Sequence, residues 1–240
     1  MKRNLLALTL VLSVTTTLFS QVFTGFTVKG SIVDIRQKNS AAKIETIVDE
    51  SVDIKNIELK YGLNSGTTMS DSTPVSKDFS KPQYIKLNNA SEGNKTWLLV
   101  VNQLKAATLP FDLSFSRSNP FDIKTPNPKP WAGYGVDYKR TDELYFGDEG
   151  AAFYVAFNAG AKELSYKLSL LSSDVLGGEF SVECSADFKK WSTLVNYSSS
   201  KPFTQNNTFT HALKPNVRYV RWVYYVRVKQ SITLNNISVK

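Results

Sequence analysis

Few residues in this chain could make or break bonds. His211 is the single histidine, so a site built from several histidines is excluded and a Ser-His-Asp triad would have to use it. It follows Thr208-Phe209-Thr210 in strand-like sequence with no nucleophile motif beside it, and reads as a half-exposed strand residue. The acidic pairs Asp142-Glu143 and Asp148-Glu149 could be glycosidase acid and base. Neighbours in a strand point to opposite faces, however, so neither pair makes a facing couple by itself. Cys184 is the only cysteine, which rules out an internal disulfide; in the alternation Phe180, Val182, Cys184 it reads as a small buried hydrophobe. No Gly-rich phosphate loop, Cys-x-x-Cys pair or EF-hand spacing occurs.

Binding chemistry is better represented. Alternation through 218–228 sends Val220, Trp222, Tyr224 and Val226 to one face and Tyr219, Arg221, Val223 and Tyr225 to the other. If the first set fills a core, Tyr219, Arg221 and Tyr225 share an outer face, where Lys167 and Glu183 are expected to join them. Flat rings cover sugar C–H surfaces, and charged groups hydrogen-bond hydroxyls, so this set is the candidate glycan platform. A calcium ion at a sandwich edge is the one metal considered, with Asp142, Glu143 and the side-chain amides of Asn235 and Asn236 as its oxygen donors. No other cofactor is expected.

The elements that must hold these residues are strands. Aromatic residues make up 12% of the 240-residue chain, with eleven Tyr and four Trp, and short alternating segments recur throughout. Ile57, Leu59 and Tyr61 alternate; 84–87 and 96–101 read as a hairpin around the Asn88 to Asn94 turn. Farther on, Leu164, Tyr166, Leu168 and Leu170 alternate with polar neighbours, and the 180–184, 191–197, 219–228 and 232–239 segments follow the same rule.

Lys2 and Arg3, the apolar run Leu5 to Leu12, and small residues to Ser20 predict a signal peptide over residues 1–20 and hence export to the periplasm, outer surface or medium. No later stretch is long and apolar enough to span a bilayer. The chain carries 29 Lys and Arg against 21 Asp and Glu, a formal charge of +8; losing Lys2 and Arg3 lowers this to +6. The excess is interleaved with acids instead of gathered into a stripe, which argues against nucleic acid as a partner. Five of nine prolines fall between Pro110 and Pro130, and this predicts a stiff linker over 118–130. The expected order is an immunoglobulin-like sandwich over 21–117, the linker, and a jelly-roll sandwich of about eight strands over 131–240.

Two resemblances sharpen that division. Lys77-Asp78-Phe79-Ser80-Lys81-Pro82-Gln83-Tyr84 with Gly93-Asn94-Lys95-Thr96-Trp97 resembles an immunoglobulin-like family of unknown function, common in surface and secreted proteins of gut-dwelling Gram-negative bacteria. That resemblance implies a spacer module without catalytic residues. Residues 179–191, Arg218-Tyr219-Val220-Arg221-Trp222 and Leu234-Asn235-Asn236-Ile237-Ser238-Val239 resemble a jelly-roll family whose relatives include discoidin-like and carbohydrate-binding modules. Many relatives carry an Asp-Asp pair where this chain has Asn235-Asn236. The expected function is therefore non-catalytic binding of a polysaccharide or glycoconjugate by the C-terminal half, with a structural or adhesive cell-envelope subunit that binds protein as the alternative.

Overall fold

A computed structural model describes residues 22–69, 77–90, 93–119, 122–137, 143–171, 176–203 and 205–240. The leader expected over 1–20, and Asp142, lie outside them. The described residues form seventeen strands and one short 3-10 turn. No helix among them is long and apolar enough to cross a membrane.

Strands are numbered in chain order. In the N-terminal unit, β1 (Phe23–Val28) and β4 (Leu59–Leu63) form a two-stranded ribbon. It lies over a five-stranded sheet made of β2 (Arg36–Lys38), β3 (Lys43–Asp49), β7 (Gly93–Leu104), β6 (Gln83–Asn89) and β5 (Thr67–Met69), in that spatial order. The hairpin expected around Asn88 to Asn94 is the β6–β7 pair. β3 runs parallel to β7. The five-and-two division, with a parallel pair, differs from the four-and-three antiparallel sheets of an immunoglobulin constant domain.

Phe23, Ile44, Phe79, Trp97 and Leu99 form the core between ribbon and sheet, and the Trp97 ring meets Phe23 edge-on at 5.4 Å. The Asp78-Phe79 motif has a structural explanation: the Asp78 carboxylate accepts the Ser80 N–H at 2.8 Å and turns the chain so that Phe79 enters this core.

The C-terminal unit is a sandwich of two antiparallel five-stranded sheets. The inner sheet runs β14 (Ser192–Tyr197), β13 (Glu179–Ser185), β16 (Tyr219–Val226), β11 (Ala151–Ala156), β9 (Trp131–Tyr134). The outer sheet runs β10 (Leu144–Phe146), β17 (Ile232–Val239), β12 (Glu163–Leu170), β15 (Asn207–Ala212), with β8 (Phe111–Leu113) also on β17. Period-two alternation works as expected here. Leu164, Tyr166, Leu168, Phe180, Val182, Val220, Trp222 and Tyr224 all enter one core. Val226, expected inward, is 44% exposed because β16 ends there.

Two boundaries differ from the sequence reading. β8 lies inside the span assigned to the first unit, yet it pairs with the closing strand of the second, and Phe115 enters the second core. The Pro-rich segment is extended, as proline dictates, but it is docked. Lys129 exchanges backbone hydrogen bonds with Gln103 and Lys105. The Asn127 amide donates to Phe79 O at 2.9 Å and Val101 O at 2.6 Å, while its oxygen accepts the Gln103 N–H at 2.8 Å. Proline lacks a donor but keeps its carbonyl, and a side-chain amide can supply the missing bonds.

The second face of the β3–β7 pair packs on the inner sheet of the sandwich. Ile47 and Leu104 meet Ala132, Ala152, Ala156, Tyr154 and Val223. Alanines at three of these positions let the two sheets approach closely. Strands buried on both faces lose alternation, which explains the unbroken apolar runs 98–101 and 151–157. Asn102 donates to Gly133 O at 3.2 Å across this contact. At its margin Arg36 lies 3.5 Å from Asp148 and 3.8 Å from buried Glu45, Lys38 also pairs with Asp148, and Lys43 holds Glu45 at 2.9 Å.

Candidate functional site

Of the outer-facing side chains of β16, Tyr219, Arg221 and Val223 are partly or fully covered, while Tyr225 at the strand's end is exposed. Where the N-terminal unit stops short of covering the inner sheet, a groove of about 580 Å³ remains. Its sandwich wall carries Tyr134 from β9, Tyr154 from β11, Arg221 from β16, and Phe188 with Trp191 from the β13–β14 turn. Its other wall is the segment before β2, including Ser31, Ile32, Val33 and Asp34. That segment is fixed on β3: the Ile32 N–H donates to Ile47 O at 2.9 Å, and the Ser31 and Thr46 hydroxyls are 2.6 Å apart.

The β13–β14 turn is built to hold two rings in place. Asp187 accepts the N–H groups of Lys189 at 2.9 Å and Lys190 at 3.0 Å, and the Lys190 bond leads the causes that hold its carboxyl below the usual range. Ser185 Oγ accepts the Phe188 N–H at 3.0 Å, and Trp191 Nε1 donates to Phe188 O at 3.0 Å. Together these bonds keep Phe188 at φ 64°, a conformation that bulky side chains avoid. Such strain persists only where its surroundings over-determine it, and it concentrates at ligand clamps. Here it stacks Phe188 on Tyr154, centroids 5.4 Å apart, and sets it edge-on to Tyr219 at 5.3 Å.

Glu183 and Arg221 are direct cross-strand partners. Arg221 Nε donates to Glu183 at 2.6 Å and its terminal nitrogen donates to Tyr225 Oη at 3.2 Å, while the Tyr225 hydroxyl donates to Glu183 at 2.8 Å. The guanidinium sits 4.2 Å from the Trp191 ring centre. Burial alone would lower the Arg221 pKa, but hydrogen bonding and charge from Glu183 outweigh it and raise it. Burial pushes the Tyr154 phenol up, and Tyr134 up to about 12, so both rings stay neutral.

Of the five residues expected to form the platform, four lie together on the inner sheet, and of these Arg221 alone lines the groove. Glu183, Arg221 and Tyr225 form one network, and Tyr219 packs beside it under Phe188. Lys167 does not join them. It lies on β12, in the outer sheet, where it pairs with Thr208 and Asn235. Alternation shows which way a side chain faces but not which sheet carries it. The groove residues that the strand reading left out are Tyr134, Tyr154, Phe188 and Asp34; the unbroken 151–157 run was the signal that this sheet face is covered.

Among the metal candidates, the Asn235 side chain is already engaged. The Asn235 oxygen accepts the Phe115 N–H at 2.7 Å and the Asn236 N–H at 2.8 Å, and its amide donates to Phe115 O at 2.9 Å. Asn235 therefore clasps the chain leaving β8, and its oxygen is already taken by two donors. Glu143 lies just before β10, and no group of three or more His, Cys, Asp or Glu able to hold a metal occurs among the described residues. Tyr166 Oη is 2.9 Å from His211 Nε2 and 3.0 Å from Tyr197 Oη, so the imidazole ends a buried phenol chain.

No protein-family model and no curated protein matches the chain. Among solved structures it is similar to a proposed glycoside hydrolase from Bacteroides thetaiotaomicron, at 10% identity over 91% of this chain and 96% of that one, TM-score 0.49. It is also similar to a cleaved adhesin domain of Lys-gingipain from Porphyromonas gingivalis, at 14% identity over 54% and 98%, TM-score 0.39. A family 29 carbohydrate-binding module from Piromyces equi matches at 8% identity over 47% and 81%, TM-score 0.35. Carbohydrate-binding modules and adhesin domains are thus among the β proteins to which this chain is similar.

Proposed function

We propose that this is an exported, non-catalytic protein that binds glycans in the groove between its two units. The observation that carries the reading is one groove of about 580 Å³ in which Tyr134, Tyr154, Phe188 and Trp191 converge with Arg221 and Asp34. Ligand sites of roughly 300–1,000 Å³ typically combine aromatic walls with a few polar groups that fix orientation. The Phe188 turn adds support, because its bonds hold the Phe188 and Trp191 rings at the groove. A glycan array followed by titration calorimetry tests the reading. Binding of at least one polysaccharide class, weakened by Trp191→Ala, is expected; silence across host, plant and microbial glycans would sink it.

One observation favours a second reading, a cell-envelope subunit that binds protein. Tyr225 and Val226 at the end of β16 and Val228 just beyond it are 39%, 44% and 56% exposed, interleaved with exposed Arg227 and Lys229. A protein partner lost on Val228→Asp, with no sugar bound, would replace the glycan reading.

A further inference from the structure

Resting on the groove being a sugar site, we propose that it selects uncharged glycans, and that Glu183 and Asp34 set the choice. Arg221 is the one cation among the described residues lining the groove. Its charge is already answered: Glu183 takes Nε and the terminal nitrogen, each at 2.6 Å, and Tyr225 takes a further bond at 3.2 Å. The Trp191 ring closes one face of the guanidinium. On the opposite wall Asp34 is exposed and its carboxylate forms no ion pair among the described residues.

The groove therefore holds a cancelled pair plus one free negative charge. A uronate or sulfate entering it finds no unpaired cation, since Arg36 behind the Tyr134 ring is itself paired with Glu45 and Asp148, and must approach Asp34. A hydroxyl finds Asp34 as a strong acceptor. The chain as a whole, at +8, would attract anions, but beyond about 8 Å that field is screened at physiological salt, so the nearby pair and the free carboxylate decide. Glu183 is a positioning residue in this scheme. It touches Arg221 and not the ligand, and by neutralising Arg221 it removes the anion site that the guanidinium would otherwise make.

The test uses matched pairs on the full chain: oligogalacturonides as methyl esters and as free acids, and cello-oligosaccharides with their C6-carboxylates. Calorimetry of the wild type should favour the neutral member of a bound pair by about tenfold or more. Asp34→Asn, at an exposed position, should narrow that gap to about threefold or less. Glu183→Gln, accepted once near-UV circular dichroism matches the wild type, should reverse it by freeing Arg221. An acid bound as tightly as its neutral partner by the wild type, or a gap unchanged in Asp34→Asn, would overturn the charge selection while leaving the sugar site standing. Failure of every glycan to bind, charged or neutral, would remove the site and the selection together.

Discussion

The Arg221 guanidinium lies 4.2 Å from the centre of the Trp191 ring, and each depends on the other. The ring covers one face of the cation, and the cation, anchored by Glu183, limits where the ring can go. Trp191 is further pinned through its indole N–H to Phe188 O. A platform held this way spends little conformational entropy when a ligand arrives.

Trp191→Ala should therefore weaken glycan binding by more than about tenfold, losing both ring contact and a cation–π contact of about 0.5–2 kcal/mol. Trp191 is only half-buried, so thermal unfolding should show a much smaller effect than calorimetric titration. Equal loss of fold and affinity would argue that the ring is a core residue.

Asn127→Ala removes three hydrogen bonds to backbone groups of Phe79, Val101 and Gln103. Each buried backbone group left without a partner costs about 1–3 kcal/mol. The midpoint of urea unfolding should fall by an amount equal to at least about 2 kcal/mol. A neutral substitution would mean that the Pro-rich segment is loosely held after all.

Gly135→Ala tests the margin between the units. Gly135 sits at φ 69°, its N–H donates to buried Glu45 at 2.5 Å, and an added Cβ would drive into the Arg36 guanidinium. Strain of this kind costs about 1–3 kcal/mol. Displacing Arg36 also separates it from Asp148, so the variant should lose part of the wild type's salt sensitivity. Unfolding at low and high salt checks both effects.

Burial pushes the Lys129 ammonium down to about 8 from 10.5, with the Asp122 charge offsetting a little. The unfolded chain then binds more protons than the folded one between those values, so stability rises with pH across that window, by at most about 3 kcal/mol. Burial raises Tyr134 and Tyr197 to about 12. Their contribution is complete below 10 and fades as pH climbs through 12, so the two trends place the stability maximum between about pH 9 and 10. Urea midpoints from pH 7 to 11 should trace that peak, and Lys129→Met should flatten its rising side.

What could be read from the sequence, and what could not, divides along a physical line. Val220, Trp222 and Tyr224 announce their core because alternation is a local property of one strand. Glu183 opposite Arg221 was within reach because both face away from that core. Lys167 was misplaced because facing outward is common to two sheets. The covering of the inner sheet was harder still: a second sheet hides a strand face as water never would, and only the missing alternation at 151–157 betrays it. Asn235 read as a donor to a cation because Phe115, whose backbone its side chain clasps through both oxygen and amide, lies 120 residues away.

The path of the chain has one more consequence. It leaves the first unit after β7, contributes β8 to the second, returns to dock 122–130 on the first, and enters β9 to stay. No single cut separates two intact halves: severing the chain near residue 117 strips β8 from the sandwich, and severing it at 130 carries β8 away with the wrong partner. Recombination at either cut would split one of the units, so the two walls of the groove are inherited together.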